Sequence, residues 1–461
     1  MTIYSIPGLL VWLVATASCG PEPTAPVEAP TAAQLSVSRA PDSFPPAPKV
    51  PDGPLSAELA EAVKTLFGDS VGTGTWGEEH IIALQTVTSS NDPRVVWLLA
   101  DMLRISSEER LRSLLSLASF VLLDLDPVRS DQWGVITNHL IAWDIPAPPG
   151  YLEYKRNIFT LVVPEWERIF QPGDVDWRHV TWGGVGIDNR AYDTTDEPCN
   201  CIPAADNPAV TSAEDAKWLD DDDVVFGLAV GGQFRAYPRQ IMEVREMVND
   251  TLGGRDIGMP YCTLCASAQA YFTDGMPDGV DRPVLRTSGL LIRSNKLMYD
   301  VNSYSVFDTF LGDAVTGPLA ERKIVLPQAG VVTTTWGEWK HAHPTTTVLA
   351  MDLSLGRDFD FRNGRDADGP IFPIGDLDQR MSVHDDVVGV ITASGKAIAF
   401  PVEAARAALE QGEVVGFEEV MLRLDAGGLR AVDGDNNDVG GHQAFWFAWS
   451  QFHPGTLLWG E

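Results

Sequence analysis

Two stretches of this chain carry the same unusual pattern. WGEWKHAHPTTTVL at 336–349 and WFAWSQFHPGTLLW at 446–459 share Trp-x-x-Trp-x-x-x-His-Pro-x-Thr. Agreement at every one of these positions points to an internal repeat, which limits the fold more than any composition does. In each copy the Trp-Trp-His run suits a short helix that stops at the proline (Pro344 or Pro454), followed by a strand. A second matched pair lies upstream: VVFGLAVGGQFRAYP (224–238) and VVGVITASGKAIAFP (387–401). Each reads as a strand, a glycine turn, a second strand and then a helix entered at proline. The repeat predicts two related β-rich units, about 222–351 and 386–460, within one duplicated domain over 201–461.

The remainder divides by texture. In LSAELAEAVKTLFGD the residues Leu55, Leu59, Ala62, Val63, Leu66 and Phe67 fall on one helical face, and Gly68 is a stop. Asp92-Pro93 opens a second helix, and Ser106 with Glu109 forms a capping-box pattern before a third. A small helical domain is therefore expected over 55–145, with a Trp-, Pro- and Gly-rich irregular connector over 146–200. The fold class is α+β: a helical N-terminal domain, then the duplicated domain of hairpins and short helices.

The first 54 residues read as delivery rather than fold. Leu9 to Ala17 is an apolar run too short to span a bilayer and suits the core of a secretory signal over 1–19. Ala17 and Ser18 precede Cys19 as in a bacterial lipobox, which makes Cys19 the lipidation site. Residues 20–54 are rich in proline and read as a tether. The expectation is an exported lipoprotein of the bacterial cell envelope, in the periplasm or on the outer surface, whose membrane partner is its own lipid anchor. A net charge of −31 argues against nucleic acid as a partner and against electrostatic docking on anionic membranes.

Five cysteines serve the whole chain. Cys262 and Cys265 stand in PYCTLCASAQAYF, and Cys199 and Cys201 in EPCNCIP. Three readings follow. In an oxidising compartment the four can form two disulfides, one version stapling 199–201 to 262–265. As thiolates, the four can hold zinc, or Cys262 and Cys265 with Met298 can hold copper(I) as a soft set. A thioredoxin-type nucleophile is the third, but the alternation after Cys265 reads as a strand rather than the helix such a site uses.

Nearby polar residues extend the candidate site. Glu246, Asn249 and Asp250 offer an acid, base or ligand, or merely cap a turn. Arg286 and Arg293, with Ser288, Ser294 and Asn295 about Gly289, can hold an anion or pair with carboxylates. His343 and His453 occupy equivalent repeat positions and suit a structural role. The acidic runs at 220–223 and 433–438 complete no EF-hand.

Residues from about 200 to 460 resemble the bacterial family called domain of unknown function 3179. The likeness is carried by IPAADNP, GQFRAYP, VREMVNDTLGG, PYCTLCASAQAYF, SGLLIRSNKLMYD, GPLAERKI and TTWGEWKHAHP, in that order. It implies no reaction. The family usually has His where this chain has Arg245, and Cys-Pro-Leu-Cys-Gly where this chain has Cys-Thr-Leu-Cys-Ala. Arg245 can neither ligate a metal nor accept a proton near neutral pH. The expected function is binding of a metal or small ligand around the Cys262–Cys265 turn. The alternatives are a thiol- or metal-dependent oxidoreductase and an envelope interaction scaffold.

Overall fold

The computed structural model describes residues 44–68, 76–194, 199–354 and 369–461. The expected signal, Cys19 and most of the tether lie outside these residues. Among the described residues no helix is long and apolar enough to cross a membrane.

Helices Ala57–Phe67, Glu78–Ser89, Val96–Ile105, Glu109–Leu123 and Gln132–Ala142 build the N-terminal region. The first is capped by Ser56, whose side chain accepts from the Leu59 N–H, and it buries Leu59, Ala62, Val63, Leu66 and Phe67 as its periodicity requires. The capping box expected at Ser106 is displaced. Ser106 closes the preceding helix through its N–H to Met102 O, and Glu108 instead caps the next one through Leu111 N. The expected irregular connector also contains a helix, Tyr151–Phe159, which buries Tyr151, Ile158 and Phe159. Prolines and tryptophans in this stretch masked a short amphipathic pattern.

The helices do not close a core alone. They share one with Leu290, Leu297, Tyr299 and Val306. Those residues belong to a four-stranded sheet of Val180–Trp182, Leu285–Ile292, Asn295–Asp300 and Val306–Phe307. A second sheet orders Gln328–Ala329, Ala270–Phe272, Arg255–Cys262, Met247–Leu252 and Ala205–Asp206, with Ser267–Ala268 pairing to the Cys262 end.

Two further sheets have matching topologies. In one, Val224–Val230 lies between Val331–Thr335 and Gln233–Pro238, and Thr347–Leu349 runs parallel to the latter. In the other, Asp386–Ile391 lies between Gly441–Phe445 and Ala397–Pro401, and Leu457–Leu458 runs parallel to the latter. A small meander, Gly416–Phe417, Val420–Asp425 and Gly428–Val432, makes the fifth sheet.

The shared motif has a physical reason at each position. Trp339 Nε1 donates to Thr346 Oγ1 at 3.0 Å, and Trp449 Nε1 to Thr456 Oγ1 at 2.9 Å. His343 and His453 pack against those indoles in tilted arrangements, 4.3 and 4.1 Å between ring centres. Their backbone N–H groups close the helices Trp336–Ala342 and Trp446–Phe452. Each indole lies on a glycine of the central strand. A Cβ on Gly227 would sit 2.2 Å from Trp339, and one on Gly389 would sit 2.1 Å from Trp449. Gly227→Ala and Gly389→Ala are each expected to cost about 2–3 kcal/mol, because a buried ring has no room to retreat. Urea unfolding checks this, and parent-like midpoints would refute it.

Candidate functional site

Cys262 ends the strand Arg255–Cys262, and Cys265 closes the single 3-10 turn that follows. Ala266 then takes φ +49° and the chain returns as a strand, as the alternation of the sequence predicted. Both thiols are free, and they are 2% and 0% exposed. Cys265 Sγ lies 3.4 Å and Cys262 Sγ 3.9 Å from Ser294 O. Helix Trp446–Phe452 packs Trp446, Phe447, Ala448 and Trp449 into the same cluster as the thiols.

The polar side of the pair is built by Glu246, Thr263 and Lys296. Glu246 takes φ +49° at the end of the helix Arg239–Arg245, which turns its carboxylate toward the thiols' strand. Thr263 Oγ1 donates to Glu246 Oε1 at 2.9 Å, and Lys296 Nζ lies 3.6 Å from Glu246 Oε2. Lys296 Nζ also donates to Tyr261 O at 3.1 Å and to Glu246 O. Burial raises the Glu246 pKa, with Lys296 opposing. Burial likewise lowers that of Lys296, with Glu246 and Cys262 opposing.

The two thiols are driven apart in acidity. Burial resists ionisation of Cys262, and Glu246 adds to this. The hydrogen bond from Cys265 and the N–H and ammonium of Lys296 outweigh both, so the Cys262 pKa falls below the ordinary thiol value. Burial pushes Cys265 well above it, reinforced by donation to Cys262 and by the nearby negative charge. No helix N-terminus takes part, because a strand follows the turn. The hydrogen bond from Cys265, with a smaller part from Lys296, supplies what the helix dipole supplies elsewhere. Sequence reasoning missed Lys296, whose only signal was its place in SNKLMYD.

The remaining candidates are dispersed. Cys199 and Cys201 bond to each other rather than to the other pair, so neither the staple to 262–265 nor the four-thiolate zinc set forms. Among the described residues the one set of three metal-type ligand atoms within 4.8 Å is Asp188, Cys199 and Cys201. It is a poor metal site as it stands. The sulfurs are joined, and Asp188 is bound by Arg190 at 2.7 Å and by the Ala204 N–H at 3.0 Å. Met298 is buried in a core cluster with Met247, Tyr271 and Phe307, whereas Cys262 and Cys265 belong to another.

Asn249 is a clamp: its Nδ2 donates to Asp206 Oδ1 at 2.9 Å and Leu285 O at 3.0 Å, and its Oδ1 accepts from Leu285 N. Asp250 is held by Arg235 and by Tyr237 OH at 2.6 Å. Arg286 is fully buried against Asp206 rather than open to an anion, with Nη1 to Oδ1 at 2.8 Å. A Cβ on Gly289 would meet carbonyl oxygens of Val185 and Gly186 at 2.5 and 2.7 Å, which repel anions. Arg293 has no carboxylate within 4.0 Å among the described residues. Its Nε donates to His179 Nδ1 at 3.2 Å and its Nη1 to Gln451 O at 3.2 Å. Arg245, in place of the family's histidine, donates to Leu353 O at 3.0 Å. Of the seven residues first grouped as one site, Cys262, Cys265 and Glu246 meet, and Arg293 lies beside them through Ser294.

No curated protein and no solved structure matches the chain. The family described as Protein of unknown function (DUF3179) matches residues 199–440, more than half of the chain and the whole of the dithiol site, and the protein belongs to that family.

Proposed function

We propose that the protein is an exported, lipid-anchored thiol oxidoreductase, with Cys262 as nucleophile and Cys265 as resolving thiol. The observation that carries this reading is geometric: two free thiols of one Cys-x-x-Cys turn lie buried together, with Thr263 on the turn hydrogen-bonded to Glu246 and Lys296 hydrogen-bonded to Tyr261 O of the same strand and 3.6 Å from Glu246. The lack of a third ligand around the pair among the described residues favours thiol chemistry over a closed zinc site. Export is supported by the apolar run before Cys19 and by the Cys199–Cys201 disulfide, which belongs to an oxidising compartment. The matched topologies of the two larger sheets support their descent from one unit by duplication.

The oxidant is a disulfide R–S–S–R. The Cys262 thiolate attacks one sulfur, forming a mixed disulfide and releasing RS⁻, which takes up a proton. Cys265 then gives up its proton and attacks Cys262 Sγ, releasing the second thiol. Two protein thiols are oxidised and one disulfide is reduced to two thiols. Lys296 stabilises the attacking thiolate, and Glu246 is placed to accept the Cys265 proton through local rearrangement.

Iodoacetamide labelling of the reduced protein at mildly acidic pH, read by peptide mapping, is expected to modify Cys262 before Cys265. Cys262→Ser is expected to abolish reduction of glutathione disulfide, and Cys265→Ser to trap a mixed disulfide. Neither cysteine reacting, with no mass change under excess glutathione disulfide, would sink the proposal. A copper or zinc adduct lost in both variants would replace it with the metal reading.

A further inference from the structure

The hairpin tip between Leu285–Ile292 and Asn295–Asp300 is strained. Arg293 has φ +45° and Ser294 φ +69°, two consecutive non-glycine residues in the left-handed region. A two-residue turn of this kind favours Asn-Gly, so these residues are held there from outside. Polar groups are left stranded at the same tip. Ser294 Oγ, both side-chain polar atoms of Asn295, and His179 Nε2 are buried without a hydrogen-bond partner. Buried polar atoms without a protein partner gather at this tip, so little but the backbone and Arg293 holds it in place.

The tip joins three parts of the chain. Its Ser294 carbonyl faces Cys265 Sγ at 3.4 Å. Arg293 N donates to His179 O at 3.2 Å, and Arg293 Nε to the His179 ring. Arg293 Nη1 reaches Gln451 O at 3.2 Å and Gln451 Oε1 at 3.4 Å. Gln451 lies in the last turn of Trp446–Phe452, whose final carbonyls have no partner within the helix. This is the helix that shares the thiols' buried cluster.

We infer that Arg293 and Ser294 form a redox-responsive pin: it holds the helix Trp446–Phe452 over the reduced thiols and releases it when they become a disulfide. The inference rests on the thiol-redox reading. The oxidant is again a disulfide, reduced to two thiols as Cys262 and Cys265 lose their hydrogens. Closing the S–S bond shifts Cys265 Sγ from its 3.4 Å contact with Ser294 O, and the strained turn loses one of its restraints. Relaxation of the turn withdraws Arg293 from Gln451. The oxidised pair would so be more open to a partner thiol than the reduced pair, which meets its disulfide only on transient opening.

Hydrogen exchange on the full chain tests this, comparing the reduced protein with protein oxidised by glutathione disulfide. Oxidation is verified by the loss of two hydrogens. Exchange is expected to rise about 10- to 100-fold at 293–296 and along 446–452, while 224–230 stays unchanged. Equal exchange in a verified disulfide form overturns the pin. Arg293→Gln, with the thiols intact and reduced, is expected to react about tenfold faster with a small aromatic disulfide, since opening alone then limits the rate. A parent-like rate in that variant also overturns it. Failure of the parent to form any disulfide would instead count against the oxidoreductase, and the pin would then stand or fall on the alkylation rate of Arg293→Gln.

Discussion

Acidification from pH 6.5 to 4 is expected to unfold this protein. Three imidazoles are buried in neutral form. Burial takes His442 from the ordinary 6.5 to about 3, with His453 adding to the effect. Burial takes His453 to about 4, and also His179, where Arg293 contributes. A histidine with a depressed pKa in the folded state binds its proton only in the unfolded chain over that window, so stability falls as pH falls. At about 1.4 kcal/mol per pH unit, each of the three removes about 3 kcal/mol by pH 4. Asp308 works in the opposite sense. Burial raises it to about 6, so the folded state takes its proton first and regains about 3 kcal/mol. Asp101 and Glu246, raised by burial, act the same way. Against about 9 kcal/mol lost through the histidines, Asp308, Asp101 and Glu246 all return stability, so the net loss is a few kcal/mol, a large part of the stability of a typical domain. Fluorescence of the buried tryptophans against pH should show a transition complete near pH 4. His442→Gln should move it to lower pH, because a glutamine can still meet Gln269 and Gln328 without charging. A fold unchanged at pH 4 would refute the assignment of these histidines as neutral.

Arg286→Met is expected to destabilise the protein by about 3–5 kcal/mol. Arg286 is 0% exposed and pairs with Asp206, which also accepts from Asn249. Its Nε donates to Arg190 O at 3.2 Å, beside the Asp188–Arg190 pair. The cluster therefore joins the connector, the short strand Ala205–Asp206 and the strands Met247–Leu252 and Leu285–Ile292. Methionine fills the volume but leaves the Asp206 carboxylate buried without its cation, and that desolvation dominates the cost. Arg286→Met combined with Asp206→Asn should recover part of the loss, since the orphaned charge is then gone. Urea midpoints for the two variants measure it, and a single variant within 1 kcal/mol of the parent would contradict the account.

The candidate site was legible in part. Cys262 and Cys265 were conspicuous because cysteines are scarce, and the strand after them followed from alternation. Asn249, Asp250, Arg286 and Met298 looked like ligands because their residue types can ligate. Their partners come from 13 to 43 positions away in the chain for Asp250 and Asn249, and 80 for Arg286, so sequence could not show that they were satisfied. A local device was missed as well. Asp92-Pro93-Arg94, Asp176-Trp177-Arg178, Asp188-Asn189-Arg190 and Asp378-Gln379-Arg380 each fold back so that the aspartate accepts from both the guanidinium and the backbone N–H of the arginine two residues on. That clip was readable as Asp-x-Arg, because its geometry is local.

By itself the sequence determined the matched Trp-x-x-Trp-x-x-x-His-Pro-x-Thr stretches, the helical face of Ala57–Phe67, the breaks at proline and the identity of the thiol pair. These depend on periodicity, backbone sterics and residue type, which act over a few neighbours. Only the tertiary structure decided that Lys296 joins Glu246 and Tyr261 at the thiol turn, and that the helix Trp446–Phe452 packs into the thiols' cluster. These depend on which distant segments share a dry interior. There the energy of a charge or an unpaired carbonyl is set by what the fold brings against it, not by its neighbours in the chain.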